Sequence, residues 1–240
     1  EFAGLLADAR SGVLVWSMGI TQGPAGADAV RLILNVALAR GWIGRDHCGV
    51  MPIRGHSSVQ GGAEMGCYAT ALPGGKPLTE ENLAALEATY GFPLPREKGL
   101  TAPEMVAAAA GGELDLLYCV GGNLLRTLPE PGHVRAAFAR LPVRVHQDII
   151  LTDQMLLEPA GEVWLLPAKT RYEQDDGGME TSTERRVMFT PEIPRQVGET
   201  KAEWKTMRDL ALAAYPEKAS VFGCETGWKM REEIARVVPF

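Results

Sequence analysis

Four short apolar runs alternate with helical patterns along this chain, and this alternation constrains the fold more than any other feature. The runs lie at residues 13–17, 114–120, 143–146 and 163–166. Continuous apolar runs of this length are typical of strands that are buried on both faces, as in parallel sheets. Because parallel strands are joined by crossover helices, the pattern predicts an α/β fold in which helices cover both faces of a parallel sheet.

The helical patterns carry their own start and stop signals. Residues 28–40 repeat apolar side chains at helical spacing, and Gly41 is a suitable residue to follow the helix end. Thr101 and Glu104 have the spacing of a capping box, with Pro103 in the first turn. Four more helices are predicted over residues 79–90, 131–140, 201–214 and 228–237.

Composition excludes several classes of protein. The chain has 240 residues, of which 46% are hydrophobic and 22% charged, so it can bury a sizeable core. A formal net charge of −6 argues against a nucleic-acid partner. No apolar run approaches the roughly 20 residues of a membrane-spanning helix, and the first residues lack the pattern of a signal peptide. We therefore expect a cytoplasmic protein without a membrane segment.

The cysteines do not predict a metal site. They lie far apart and without C-x-x-C spacing, at Cys48, Cys67, Cys119 and Cys224. Scattered cysteines in a chain of this composition are usually reduced, buried thiols. We expect no metal ligand within this chain.

Residues 41–75 form a glycine-rich segment without periodicity, yet with many apolar residues that need to be packed. Such a segment is typical of an ordered functional loop, and the alternative is a flexible linker. Arg54 could hold a carboxylate with both arms of its guanidinium, or could be an ordinary surface arginine. His56 could exchange protons near neutral pH, or could be a solvated loop histidine.

Ligands of open parallel sheets bind beyond the carboxyl ends of the strands. This rule selects residues 18–22, 121–127 and 147–152. Gly121 and Gly122 follow a predicted strand, where glycine lets the backbone approach a phosphate closely. The sequence there is not G-x-G-x-x-G, which disfavours a simple NAD-binding fold. An unrelated nucleotide-binding module with a Rossmann-like sheet remains the alternative.

Several stretches carry a resemblance to a known family. They are W-S-M-G-I-T-Q at 16–22, M-P-I-R-G-H-S-S-V-Q-G at 51–61, V-H-Q-D-I-I-L-T at 145–152, and L-P-A at 166–168 followed by residues 181–186. On these residues the chain resembles the molybdopterin-dependent oxidoreductases, most closely the alpha subunit of formate dehydrogenases.

The resemblance implies that the chain is a central fragment built from parts of two doubly wound domains. Residues 1–56 would be the C-terminal part of one α/β domain and would end in a substrate-arginine loop. Residues 57–195 would be the second half of a neighbouring α/β domain that binds a pterin guanine dinucleotide. Residues 196–240 would form a helical C-terminal segment.

The resemblance also implies which residues bind the cofactor, molybdopterin guanine dinucleotide. Met18 and Gln22 would touch it where the first strand ends, and Asp148 or Glu162 could accept hydrogen bonds from the guanine N1 and N2 donors. The full set of implied cofactor-binding residues is Met18, Gln22, Gly55, Gly121, Gly122, Asn123, Thr127, Gln147, Asp148, Thr152 and Glu162. Among these, Gly121 and Gly122 would close on the pyrophosphate with Asn123 and Thr127 as hydrogen-bond partners, and Gln147 would lie at the guanosine end.

For catalysis, the resemblance implies that Arg54 holds the carboxylate of formate beside molybdenum, where its positive charge offsets negative charge. His56 would share this catalytic loop, at a position that is often glutamine in formate dehydrogenases, so the substrate would be formate or an analogue. The molybdenum ligand and the cysteines of a [4Fe–4S] cluster would lie outside this chain, and the full enzyme would have an electron-transfer partner. The chain alone would be inactive, and a non-catalytic homologue that keeps the fold is the alternative.

Overall fold

A computed structural model of the chain describes residues 1–53, 55–56, 58–181 and 186–238. The chain divides into two compact units, one made of residues 1–62 with 179–188 and the other of residues 63–178 with 189–240. The three segments implied by the family resemblance, 1–56, 57–195 and 196–240, stay a prediction.

The first unit is built around a pair of parallel strands. Its elements in chain order are α1 (Phe2–Asp8), β1 (Val13–Trp16), α2 (Met18–Thr21), α3 (Gly26–Ala39) and β2 (Gly49–Pro52), and α4 (Val59–Glu64) follows them. β1 and β2 pair in parallel. The helix predicted over residues 28–40 is confirmed as α3, and Gly41 after it has the left-handed φ of 63° that glycine adopts easily.

The predicted burial of the first strand is wrong. Val13 is 51% exposed and Val15 is 49% exposed, although the strand itself and its parallel pairing are confirmed. The physical reason is that this sheet has two strands, so every residue of β1 lies close to an edge.

The second unit holds most of the secondary structure. Its strands are β3 (Ala71–Leu72), β4 (Lys76–Pro77), β5 (Leu116–Val120), β6 (Val143–Asp148) and β7 (Glu162–Pro167). Two further strands, β8 (Gly178–Thr181) and β9 (Val187–Thr190), fall where residues 179–188 belong to the first unit. The helices are α5 (Glu80–Tyr90), α6 (Ala102–Gly111), α7 (Leu124–Thr127), α8 (Pro131–Phe138), α9 (Glu203–Ala214), α10 (Ala219–Phe222) and α11 (Gly227–Val237), with 3₁₀ turns at Arg171–Glu173 and Pro216–Lys218. Among the described residues, no helix is long and apolar enough to cross a membrane.

A three-stranded parallel sheet, in the order β5-β6-β7, forms the centre of the second unit. Its register pairs Val120 with Gln147 and Asp148 with Pro167, so the carboxyl ends of the strands lie at one edge. This arrangement confirms the α/β class predicted from the alternating pattern.

Helices pack on both faces of this sheet at β5 and β6, whereas the edge strand β7 is not buried as its apolar run predicts, with Trp164 56% and Leu165 46% exposed. On one face, Leu117 and Cys119 of β5 pack with α6 and α8 in the main hydrophobic cluster. On the other face, Gln147 donates to Thr206 of α9. Strand side chains alternate between faces, so both layers are attached through neighbouring residues of the same strands.

The capping box predicted at the start of α6 is confirmed. The carboxylate of Glu104 accepts hydrogen bonds from the backbone N–H of Thr101 at 2.7 Å and from its hydroxyl at 2.8 Å. These bonds, the backbone one first, lower the pKa of Glu104. The helix ends before Gly112, whose φ of 77° is left-handed.

Candidate functional site

The carboxyl edge of the β5-β6-β7 sheet is the candidate site in the second unit. Residues 121–123 leave β5 there, residues 149–157 follow β6, and residue 168 follows β7. Open parallel sheets bind their ligands at this edge because loops, helix N-termini and free backbone groups converge on it.

The turn after β5 is a left-handed glycine pair that leaves its backbone open. Gly121 has φ 65° and Gly122 has φ 73°, values that most other residues adopt only with strain. A Cβ added at either glycine would have no heavy atom within 4 Å. The N–H of Gly121 donates to the carbonyl oxygen of Gln147 at 2.8 Å, which fixes the turn to β6. The turn therefore offers a fixed, open backbone to a ligand.

A buried glutamine clamps this turn, and sequence reasoning missed it. Gln154 is 1% exposed. Its side-chain oxygen accepts from the N–H of Leu124 at 2.8 Å, and its side-chain nitrogen donates to the carbonyl oxygen of Gly122 at 2.9 Å. The sequence could have indicated Gln154 only by its position, two residues beyond the segment 147–152 that follows the carboxyl end of β6.

Arg144 holds the segment that carries Gln154. This buried arginine of β6 donates to the backbone carbonyls of Gln154 and Leu157, and its guanidinium lies 5.8 Å from the ring centroid of Phe138. Burial lowers its pKa. The sheet thus positions residues 154–157, which in turn position the glycine turn.

Asn123 is held by an acid that sequence reasoning also missed. Its side-chain amide donates to Asp153 at 2.7 Å, and Asp153 accepts from Arg126 at 2.7 Å as well. These bonds, the one from Asn123 first, lower the pKa of Asp153. Thr127 is exposed, and its hydroxyl donates to the backbone carbonyl of Asn123 at 3.0 Å.

Two predicted residues at this edge have buried polar atoms without a hydrogen-bond partner among the described residues. They are the side-chain oxygen of Asn123 and the hydroxyl of Thr152. Buried polar atoms are almost always paired, so unpaired ones at a sheet edge are typical of a place where a ligand makes the missing bond.

A cavity of about 160 Å³ opens beside Asp148. Its lining includes His146, Asp148 and Met155, with apolar residues from 149–151 and 165–167. One oxygen of Asp148 accepts from the N–H of Ile149 at 2.7 Å. On α9, burial and the negative charge of Asp148 raise the pKa of Glu203. The edge therefore combines a carboxylate, a second carboxyl group that resists ionisation and an apolar wall.

Unlike Asp148, Gln147 and Glu162 do not line the cavity at the carboxyl edge of the sheet. Gln147 is fully buried, and its amide bonds Tyr118 at 2.8 Å and Thr206 at 3.0 Å, so its side chain joins the sheet to α9. Glu162 begins β7 opposite Val143, at the amino edge of the sheet, and accepts from the indole of Trp164. The structure thus does not bring Glu162 together with Asp148.

In the first unit, the parallel pairing of Trp16 with Pro52 puts the two strand ends at one edge. The N–H of Ile53 donates to the carbonyl oxygen of Trp16 at 2.7 Å, which extends the pairing by one residue. A Cβ added at Gly55 would lie 3.3 Å from the sulfur of Met18, so these two predicted residues are neighbours.

The other predicted residues of this edge are less defined. Gln22 follows α2 and is exposed, and His56 is exposed. Arg54 lies outside the described residues. Within the described part of the chain, no three His, Cys, Asp or Glu side chains are grouped as metal ligands would be.

The donors and acceptors of the β5-β6-β7 edge fit the nucleotide end of an organic cofactor. A phosphate can approach the open glycine backbone, and Asn123, Thr152 and Asp148 offer acceptors for sugar or base donors. Fold and edge together are typical of ligand-binding α/β proteins with an open parallel sheet.

The chain belongs to the molybdopterin oxidoreductase family, whose family model matches residues 3–213. It is 34% identical over 88% of its length to a probable oxidoreductase of Bacillus subtilis, of which the match covers 21%. It is also 34% identical over 88% of its length to the F420-dependent formate dehydrogenase subunit alpha of Methanocaldococcus jannaschii, with 30% of that protein covered. A putative formate dehydrogenase of Staphylococcus aureus is 32% identical over the whole chain, with 23% of that protein covered.

The chain therefore spans between a fifth and a third of the length of these curated relatives. The family membership confirms the resemblance on which the sequence analysis relied, and with it a molybdenum–pterin cofactor in general.

Proposed function

We propose that this chain is the central part of a molybdenum oxidoreductase that oxidises formate or a closely related small carboxylate. The carboxyl edge of β5-β6-β7 would bind the guanosine and pyrophosphate end of molybdopterin guanine dinucleotide. The edge of the first unit would carry the substrate arginine, Arg54, and the contacts of Met18, Gln22 and Gly55 to the same kind of cofactor.

The observation that supports binding of the nucleotide is the fixed and open glycine turn next to the unpaired buried side-chain oxygen of Asn123. Gln154 holds the backbone of Gly122 and Leu124 by two hydrogen bonds, and Asn123 is held through Asp153. A site whose groups are already positioned loses little conformational entropy when the ligand binds. Asp148 is the acceptor proposed for the guanine donors, since Glu162 starts its strand at the other edge of the sheet.

The substrate part is supported by the family membership and by the position of the segment. Residue 54 directly follows Ile53, which is bonded to the end of β1, and directly precedes Gly55, which lies against Met18. A guanidinium on this loop would bind a carboxylate with two parallel hydrogen bonds and orient it. When bound, the molybdenum–pterin cofactor supplies the two-electron acceptor. His56 is proposed to hold or release a proton beside the same substrate.

The test is made in the complete enzyme, with its other segments and cofactor present. Arg54→Ala should lower kcat/KM for formate at least about 100-fold, because the substrate loses an orienting positive charge. Arg54→Lys should recover only part of the loss, since an ammonium cannot form the planar two-bond contact. Molybdenum and pterin content, measured on the same samples, should stay close to the wild-type level.

Equal loss of activity and cofactor would mean that residue 54 supports the fold. Complete wild-type enzyme that carries cofactor but oxidises neither formate nor other small carboxylates would favour a non-catalytic homologue instead.

A further inference from the structure

His146 is a buried histidine of β6 for which the fold offers no hydrogen bond. It is 1% exposed, and neither ring nitrogen has a partner among the described residues. Its strand neighbours are Cys119 of β5 and Leu165 of β7, and neither is bonded to the ring. It lines the same cavity of about 160 Å³ as Asp148, two residues further along the strand.

Leaving an imidazole unpaired in a protein interior costs free energy, on the order of 1–3 kcal/mol for a polar group. A leucine at this position would avoid that cost, because its side chain has no polar atom that needs a hydrogen bond. The charged form is disfavoured still more, because burial and the nearby positive charge of Arg144 lower the pKa of His146, while the charge of Asp148 opposes them. The ring is therefore neutral at physiological pH and presents one N–H donor and one acceptor nitrogen.

We propose that His146 is a specificity-determining residue of the nucleotide site, where its ring hydrogen-bonds the purine base beside the contact made by Asp148. This inference rests on the proposed function, in which the same edge binds the guanosine end of the cofactor. Side chains two residues apart on a strand point to the same face, so the imidazole and the carboxylate face the cavity from the same side of β6.

Guanine matches this pair of groups by its chemistry. Its 6-oxo group accepts a hydrogen bond, which a neutral imidazole N–H can donate. Its N1–H and 2-amino group donate, and the carboxylate of Asp148 can accept both. Adenine has an amino group at position 6 and no hydrogen on N1, so it cannot pair with Asp148 in this way. Met155 and Leu165 supply apolar surface in the cavity for the face of the ring.

The experiment measures Kd by calorimetry for GDP, IDP and ADP on the 240-residue chain. Wild-type chain should bind GDP at least about tenfold more tightly than ADP, with IDP between them because it lacks the 2-amino group. His146→Leu removes the hydrogen-bonding groups at similar volume and should weaken GDP binding about 5- to 10-fold. His146→Gln, whose amide can still donate, should stay within about threefold of wild type.

A matched control lies on the other face of the same strand. Val145→Ala removes a buried side chain there and should lower the melting temperature without changing the ratio of the GDP and ADP dissociation constants. Circular dichroism at the binding temperature verifies that each variant is folded.

A second measurement follows ligand binding in the wild-type chain and uses a variant only to assign a signal. In chain labelled with ¹⁵N-histidine, the ring signal of His146 is identified by its loss in His146→Leu. GDP should shift the nitrogen that becomes the donor, whereas ribose 5-phosphate should not.

The outcomes separate the two proposals. If wild-type chain binds GDP, but His146→Leu binds it equally well and the ring signal does not move, the role of His146 is wrong and the nucleotide site stands. If wild-type chain binds no guanine nucleotide at millimolar concentration, the proposed nucleotide edge is wrong and the role of His146 is overturned with it.

Discussion

Two acidic residues near the sheet edge show how local partners set the charge of a single side chain. Asp153 accepts hydrogen bonds from Asn123 and Arg126, and these bonds lower its pKa. Glu203 is the first residue of α9, where the helix dipole favours a negative charge. Its pKa is nevertheless raised, by burial and by the negative charge of Asp148.

The raised pKa of Glu203 gives a prediction for stability. A carboxyl group with a raised pKa binds its proton more tightly in the folded state, so the free energy of unfolding decreases as pH rises through its titration range. Glu203→Gln should therefore increase the free energy of unfolding at pH 7, and the gain should vanish below about pH 4, where both folded and unfolded chains carry the proton. Urea unfolding at several pH values measures this difference.

The control for this prediction is Glu225→Gln, which removes the same charge from an exposed position. If both variants gain equally at pH 7, the effect comes from the net charge of −6 and not from the surroundings of Glu203.

At the scale of elements, the loop between β6 and β7 is tied to the turn after β5 by Asp153 and by Gln154, and of these two only Gln154 bonds the backbone of that turn on both sides of Asn123. Gln154→Ala would leave the N–H of Leu124 and the carbonyl oxygen of Gly122 without their partner in a half-buried place. We expect a loss of about 1–3 kcal/mol in the free energy of unfolding. We also expect faster hydrogen exchange at the amide of Leu124 and weaker GDP binding.

Gln196→Ala is the comparison, because Gln196 also donates to backbone carbonyls but is exposed. Water can replace its bonds, so this variant should lose less stability and leave exchange at Leu124 unchanged. An equal loss in both variants would show that the burial of Gln154 adds nothing.

The elements themselves could be predicted from the sequence where the signal is local. Thr101 and Glu104 start α6 as their spacing predicts, and the apolar run at 114–120 contains β5. The burial of a strand, by contrast, depends on which other elements pack against it and cannot be predicted from its own residues. Val13 and Val15 belong to an apolar run but are half exposed, because the number of neighbouring strands is decided by the rest of the fold.

In the candidate site too, some residues could be predicted from the local sequence and others depend on the rest of the fold. Gly121, Gly122 and Asp148 could be selected because each lies where a strand ends. In the sequence, Glu162 and Asp148 are equal candidates for the contact to the guanine donors. The register of β6 with β7 distinguishes them, because it puts Glu162 at the amino end of the sheet and Asp148 at the carboxyl end. His146 and Glu203 could not be found, since one looks like a strand residue and the other depends on how α9 packs.

For the whole molecule, the distribution of buried side chains predicts the order of unfolding. Among the described residues of the first unit, the buried hydrophobic side chains are Ala37 and Trp42, whereas the second unit contains a contiguous cluster around Phe138 and Leu141. Stabilisation scales with buried apolar area, at about 25 cal/mol per Å². In native-state hydrogen exchange over increasing urea, β1 and β2 should therefore open at lower free energy than β5 and β6.

Two core variants make this prediction specific to each unit. Trp42 fills the space beside Gly12, where an added Cβ would lie 2.7 Å from its ring. Trp42→Ala should abolish exchange protection in β1 and β2 while leaving β5 and β6 protected. The substitution lowers the free energy of unfolding by about 3–5 kcal/mol, and this loss affects the first unit, which has few other buried side chains. Phe138→Ala should reduce protection in β5 and β6. A single opening free energy shared by all four strands, lowered equally by both variants, would show that the chain unfolds as one cooperative body.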